Sequence, residues 1–337
     1  MPFITNNQNA MFYECGFSCD NGIFFKNDKQ SFLITDSRYT LEAKENIKDK
    51  NIEVITSSDL IIDLIKVAKG VKKIIFDPSQ ISLEFYNKIS DTLDLIAKSN
   101  FHQKLRAIKN DNEIDLIKKS QEMNKKAFKK FANFLSKNDI EGKSELFLNF
   151  KVKEFLSKCG KYELSFEPIT ALNKNIAKPH ALPSKDRLHK GDILLLDAGI
   201  KYKRYCSDMT RSALYDGEIR FSKIQKMPKK IQKIYDIVLK AQELTIKKAR
   251  SGMSAKDIDF IARDYISKAG YGKYFTHSTG HGIGLDIHEL PIISHRSEMI
   301  IEDGMIFSIE PGIYLDNEIG IRIEDLVLMK NGKAEIL

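Results

Sequence analysis

Hydrophobic positions in the first hundred residues follow two rhythms. Short apolar runs at 22–25, 31–35, 51–56 and 72–76 read as strands. Between them, 39–47, 59–68 and 82–89 space their apolar residues as helices do. Strands alternating with helices predict a small α/β domain. The period fades over 100–110, so the boundary is set there, giving domains of 1–105 and 106–337.

In the second domain, residues 112–135 place Ile114, Ile117, Met123, Ala127, Phe128, Phe131 and Phe134 on one stripe with lysines opposite, which predicts a long surface helix. Further helices are expected at 144–157, 229–250 and 254–268, the last opening on a Ser254 cap. Strands rich in Ile, Leu and Phe are expected at 192–200, 205–215, 305–314 and 320–329, so this domain reads as α+β. The basic segment 216–230, with Gly217 and Pro228, has no period and reads as a surface loop or insertion without an assigned function.

Composition narrows the class. A chain of 337 residues, 42% hydrophobic, suits two domains better than one. The N-terminus lacks a basic segment followed by an apolar run, and no apolar stretch approaches the roughly 20 residues a bilayer span needs, so a soluble protein with no membrane partner is expected. Four scattered cysteines suit a reducing cytoplasm, and Cys15 and Cys19 read as packing residues rather than metal ligands. The net charge of +8 comes from lysines interspersed with acids, which reads as a solvated surface and not a nucleic-acid interface.

The candidate chemistry lies in four acids. A turn centred on Tyr202 and Lys203 would set Asp197 opposite Asp208. A second turn centred on Asn317 would set Glu310 opposite Glu324. Like charges opposed across a ladder are destabilising, and burial raises their pKa values unless something positive is present. Two divalent cations would balance four carboxylates and could polarise a water. Three of the seven histidines fall between His277 and His288, but Gly280, Gly282 and Gly284 rule out a zinc-binding helix there. An extended segment over 282–288 lining a cleft is expected instead. His102, His189 and His295 read as structural, and the loop context of His180 says little by itself.

These residues resemble the pita-bread metallopeptidases, the family of methionine aminopeptidase, aminopeptidase P and prolidase, with creatinase as a metal-free relative. The resemblance is carried by Ser165-Phe166-Glu167-Pro168-Ile169, Lys178-Pro179-His180, Leu196-Asp197-Ala198-Gly199, Cys206-Ser207-Asp208-Met209-Thr210-Arg211, Ser278-Thr279-Gly280-His281-Gly282-Ile283-Gly284, Ser308-Ile309-Glu310-Pro311-Gly312-Ile313-Tyr314 and Ile321-Arg322-Ile323-Glu324-Asp325, in that order. It implies a pita-bread catalytic domain behind a smaller creatinase-type α/β domain, the latter suggested by Gly16-Phe17, Asp20-Asn21-Gly22 and Thr35-Asp36-Ser37-Arg38-Tyr39.

The resemblance further implies metal ligands Asp197, Asp208, His281, Glu310 and Glu324, with Asp208 and Glu324 shared by both ions. Glu310 would also be general base, His180 and His288 would hydrogen-bond the scissile carbonyl or the tetrahedral intermediate, and His277 would line the proline-side pocket. Arg322, in the Arg-x-Glu arrangement that methionine aminopeptidases usually lack, is placed with the substrate-binding residues. The expected activity is release of the N-terminal residue from peptides with proline second, with a prolidase acting on Xaa-Pro dipeptides as the alternative. A non-catalytic peptide-binding module on the same fold ranks below both, because all five ligands are present. Manganese is the first choice of metal, ahead of cobalt, zinc or iron. A homodimer is expected, with the N-domain of a partner closing the cleft. The segment 216–230 looks longer than the connection usual in the family.

Overall fold

Side-chain caps start most of the helices in the first hundred residues. In the computed structural model, which describes all 337 residues, Asn7, Asp36, Asp59 and Ser82 each accept hydrogen bonds from the first turn of the helix they precede. The order is β1 (Phe3–Thr5), α1 (Gln8–Cys15), β2 (Gly22–Lys26), β3 (Ser31–Thr35), α2 (Ser37–Asn46), β4 (Ile52–Thr56), α3 (Leu60–Ala68), β5 (Ile74–Phe76), α4 (Leu83–Ser90), β6 (Leu95–Ala97) and α5 (Phe101–Arg106). The strands form one mixed sheet in the order β4-β3-β2-β1-β5-β6. Alternate residues serve opposite faces: Ile4, Ile23, Phe25 and Ile34 pack in one core, Phe3, Phe24 and Leu33 in the other. Cys15 and Cys19 lie buried in the second core, where burial pushes both thiols above their ordinary pKa.

The apolar pattern missed β1, α1, β6 and α5. Strands of three residues are too short to show a period, and α1 carries no apolar stripe. α5 occupies residues that looked aperiodic, since six residues make fewer than two turns.

By its contacts the chain divides into two units, Met1–Leu105 and Arg106–Leu337. The second begins with α6 (Asp111–Lys137), opened by a capping box between Asn110 and Glu113, and α7 (Glu145–Ser157). Then come β7 (Ile169–Leu172), β8 (Ile193–Ala198), β9 (Lys201–Tyr202), β10 (Tyr205–Cys206), β11 (Met209–Leu214), α8 (Lys229–Lys248) and α9 (Ala255–Lys268). After a short 3-10 turn at Gly272–Tyr274 come β12 (Gly280–Gly282), β13 (Glu289–Ile293), β14 (Ile306–Ile309), β15 (Gly312–Leu315), β16 (Ile319–Arg322), β17 (Asp325–Lys330) and β18 (Lys333–Ile336). No helix is long and apolar enough to cross a membrane.

Two sheets, β11-β8-β7 and β13-β12-β14-β17-β18, and the hairpin β15-β16 carry the site. β8 is covered on both faces. Leu194, Leu196 and Ala198 pack with α6 and α7, while Ile193 and Leu195 pack with α8 and α9. That double burial explains its continuous apolar run and puts Asp197, by parity, on the Ile193 side. α6 buries more than a hydrophobic stripe: Ser120, Gln121 and Asn124 are fully buried and bond the main chain at Ile200, Asp208 and Ala198.

β12 runs so close to β14 that a Cβ built on Gly280 would lie 1.8 Å from the Ser308 carbonyl oxygen. Gly280→Ala must therefore push the strands apart. We expect a loss of about 3 kcal/mol in urea unfolding, and an unchanged midpoint would show that the backbone yields freely there.

Candidate metal centre

The first pair of acids is set by a two-residue turn. Lys203 and Arg204 have φ of 48° and 73°, the left-handed pair that closes a tight hairpin. The turn is therefore centred one residue later than the sequence suggested. Asp197 consequently pairs with Thr210, not with Asp208. Moving the centre by one residue moves each partner by two, so Asp208 stays on the same face as Asp197, diagonal to it rather than opposite.

The second pair follows the expected register. Ile309 pairs with Asp325 and Gly312 with Arg322, which leaves Glu310 and Glu324 across from each other at the break made by Pro311. The Glu324 N–H donates to the Thr210 carbonyl at 3.1 Å, joining the two acidic hairpins.

His281 enters from β12. Residues 283–288 are not the extended segment expected: a bulge between His281 and Gly282 shifts the register, and bends follow until β13. The His281 Nδ1 lies 3.0 Å from the Gly282 carbonyl, which only accepts, so Nδ1 carries the proton and Nε2 presents a lone pair. That lone pair sits 3.6 Å from Asp208 Oδ2 and 3.4 Å from Glu310 Oε1. Burial lowers the His281 pKa, so the ring does not supply the missing positive charge.

The only arginine bonded to a carboxylate of these acids is Arg322. Its Nη2 donates to Asp197 Oδ2 at 2.6 Å, its Nη1 to the Tyr314 hydroxyl at 2.9 Å and the Pro179 carbonyl at 3.1 Å, and its Nε to Thr210 Oγ1 at 3.2 Å. Thr210 in turn donates to Glu324 Oε2 at 2.7 Å, and Ser308 Oγ to Glu310 Oε1 at 3.1 Å. Burial, then the charges of Glu324, Asp197 and Glu310, raises Asp208 well above the usual carboxylate range. Glu324 is raised by burial, Glu310 and Asp197. Burial pushes Glu310 to about 7 against the opposing charge of Arg322.

Asp208, His281 and Glu324 bring ligand atoms within 4.8 Å of one another. Asp197 Oδ1, Asp208 Oδ1 and Glu324 Oε1 are buried without any hydrogen-bond partner. Three orphaned carboxylate oxygens and an imidazole lone pair turned toward further acids are the environment that divalent cations satisfy. The residues fit such ions.

His288 and His277 flank this cluster. The His288 ring meets His281 edge-on at 4.4 Å between centroids, and burial, then His281 and His180, lowers it to about 4. His277 is lowered to about 3 by burial and then Arg322; its Nδ1 donates to the Ser278 carbonyl at 2.7 Å and its Nε2 accepts from Tyr314 at 2.8 Å. His180 is exposed and lies near enough to bear electrostatically on His277, Glu310 and His288. His102 packs against Phe3 and Phe101, His189 pairs with Glu141, and His295 with Arg296, outside the cluster.

Tyr314, Thr210 and Ser308 have no role legible in the sequence, although each lies inside one of the family motifs. The same holds for Gln121, whose side chain brackets the Asp208 peptide, and Asp259, which holds Thr279 beside the His281 strand. The available signal was a polar residue at a buried position of an amphipathic helix.

Residues 115–331 match metallopeptidase family M24, and residues 2–108 match the creatinase/prolidase N-terminal domain. The chain belongs to family M24. The α+β architecture is the pita-bread fold behind a creatinase-type domain. Among relatives, peptidase YqhT of Bacillus subtilis is 32% identical, with 99% of this chain and 92% of that one aligned. A Xaa-Pro dipeptidase of Pyrococcus furiosus is 39% identical over 69% of this chain, a match spanning 63% of that protein. Among solved structures, a Xaa-Pro dipeptidase from Bacillus anthracis superposes with a TM-score of 0.89 at 31% identity, covering 99% of this chain and 92% of that one. An X-Pro aminopeptidase from Thermotoga maritima gives 0.86 at 32%, covering 99% and 94%.

The pKa of Glu310 sets a pH dependence for the metal-free protein. Folded, the carboxyl holds its proton up to about 7, against an ordinary 4.5. The folded chain thus binds more protons across that window, and this group's contribution to stability falls as pH rises through it. A bound cation favours the ionised form and removes the penalty. Melting temperatures in EDTA and in Mn²⁺, compared from about pH 5 to about pH 7.5, should therefore draw apart; a constant or narrowing gap would contradict this electrostatic picture.

Proposed function

We propose that this M24 chain is a divalent-metal-dependent exopeptidase that releases the N-terminal residue from peptides with proline in the second position. The observation carrying this reading is the convergence of Asp197, Asp208, Glu310, Glu324 and His281, with three buried carboxylate oxygens lacking partners. Those five residues would hold two metal ions, for which manganese is the first choice among manganese, cobalt, iron and zinc. Bound there, the ions supply Lewis-acid polarisation of water and of the scissile carbonyl.

The chain's own residues do the rest. Glu310, steadied by Ser308, takes the proton from the attacking water. His288 is neutral at physiological pH and offers an N–H to the carbonyl oxygen as charge develops on it, with His180 as its partner in that role. Arg322 orients Asp197 and, through Tyr314, fixes His277 as a neutral ring beside Phe275, an apolar wall suited to a proline side chain.

A second reading, a prolidase restricted to Xaa-Pro dipeptides, is favoured by the likeness to Xaa-Pro dipeptidases of Pyrococcus furiosus and Bacillus anthracis. A panel of Xaa-Pro dipeptides, longer Xaa-Pro peptides and Met-Ala peptides with added Mn²⁺ separates the two. Turnover of longer Xaa-Pro peptides is expected; turnover of dipeptides alone would select the prolidase, and turnover of Met-Ala peptides alone would remove the proline assignment. Glu310→Gln should lower kcat at least about 100-fold in the same assay, and a variant within a fewfold of the parent would rule Glu310 out as the base.

A further inference from the structure

The segment 216–228 between β11 and α8 has no sequence period, yet it is built into the domain. Ile219 is buried, and its N–H donates to Ser136 Oγ at 3.0 Å. The Phe221 ring stacks on Phe131 at 6.2 Å and meets Phe128 edge-on at 5.5 Å. The Tyr235 hydroxyl donates to the Lys223 carbonyl at 3.1 Å. Anchored on both sides, Lys223 turns inward and places its Nζ 2.5 Å from Asp325 Oδ2, on a side chain only 2% exposed.

Asp325 gathers three donors. Arg211 Nη2 reaches Oδ1 at 2.6 Å, and Gln242 Nε2 reaches Oδ2 at 3.1 Å beside Lys223. The same Gln242 nitrogen lies 3.2 Å from the Ile309 carbonyl and 3.3 Å from the Ile323 carbonyl, the residues just before Glu310 and Glu324. Arg211 Nη1 reaches the carbonyls of Glu324 at 2.5 Å and Thr210 at 2.9 Å. The donors that meet at Asp325 therefore also hold the main chain around both glutamates. Burial would raise the Asp325 carboxyl, but Arg211 and Lys223 hold it below its ordinary value, so it remains a charged anchor.

We propose that Lys223 is a positioning residue for the metal centre, fixing Asp325 so that Arg211 and Gln242 hold the backbone of Glu310 and Glu324 at ligand spacing. The inference rests on the metal-dependent reading above. With Oδ2 engaged by Lys223, Asp325 meets Arg211 through one oxygen only. Without Lys223 the carboxylate is free to rotate into the bidentate pairing that guanidinium favours. That rotation draws Arg211 from the Glu324 carbonyl and Gln242 from the carbonyls of Ile309 and Ile323.

The test is calorimetric titration of the EDTA-stripped full chain with Mn²⁺, using wild type, Lys223→Met, Lys223→Arg and Lys226→Met, with the melting temperature of each metal-free protein recorded. Lys226 is exposed in the same segment and makes no ion pair, so it controls for loss of charge. Coulomb's law alone predicts that removing a positive charge tightens cation binding. Positioning predicts the reverse: Lys223→Met weakens Mn²⁺ binding about tenfold, Lys223→Arg restores most of it, and Lys226→Met does not weaken it. A Lys223→Met protein that binds as tightly as wild type overturns the inference, as does one that fails to fold, because Lys223 would then be scaffold. A wild type that takes up no Mn²⁺ would instead overturn the metallopeptidase reading, and this inference with it.

Discussion

Mutual repulsion among four acidic side chains, confined where water cannot screen them, governs the second unit of this protein. Asp197, Asp208, Glu310 and Glu324 converge with a single arginine bonded to their carboxylates, at Asp197, and His281 adds a lone pair rather than a proton. Such a group is unfavourable in a low-dielectric interior, and it persists because the surrounding structure over-determines it. β8 is locked by apolar packing on both faces, and each acid sits beside a main-chain segment fixed by buried amide or guanidinium groups.

The same economy runs through the neighbouring polar groups. Arg322, Tyr314 and His277 form one chain of donors and acceptors in which each proton has a single possible direction. The arginine can only donate, so the phenol accepts from it and gives its own hydrogen to the imidazole. A neutral ring results, although it lies within reach of several charges. Protonation states at this site thus follow from donor inventory and burial together, and the lowered pKa values of His277 and His288 agree with it.

How much of this the sequence disclosed depended on distance along the chain. The long α6 stripe, the continuous run of β8 and the Asn317 hairpin are local patterns, and the Glu310–Glu324 register could be read directly from them. The Asp197–Asp208 register could not, because Lys203 and Arg204 give no glycine or asparagine signal for their left-handed turn. The loop 283–288 was misread for a related reason: its glycines admit extended and bent backbone alike, and packing chooses. Gln121, Gln242 and Asp259 were illegible as site-supporting residues, since their importance lies in partners some twenty to ninety positions away. The family motifs, by contrast, concentrate the acids and histidines into short strings, which is why the metal candidates could be named from sequence.

The diagonal placement of Asp197 and Asp208 has a consequence for how this hairpin tolerates change in length. Because strand residues alternate between faces, adding or deleting a single residue in the connection between them, with the ladder re-pairing regularly, would turn one carboxylate away from its neighbour and into the packed side. Two residues at once would preserve facing and alter only reach. A change in this connection therefore keeps the acidic pair together in even steps, or where a bulge or a longer turn absorbs the odd residue; an odd step without either would leave the hairpin intact but split its acidic pair.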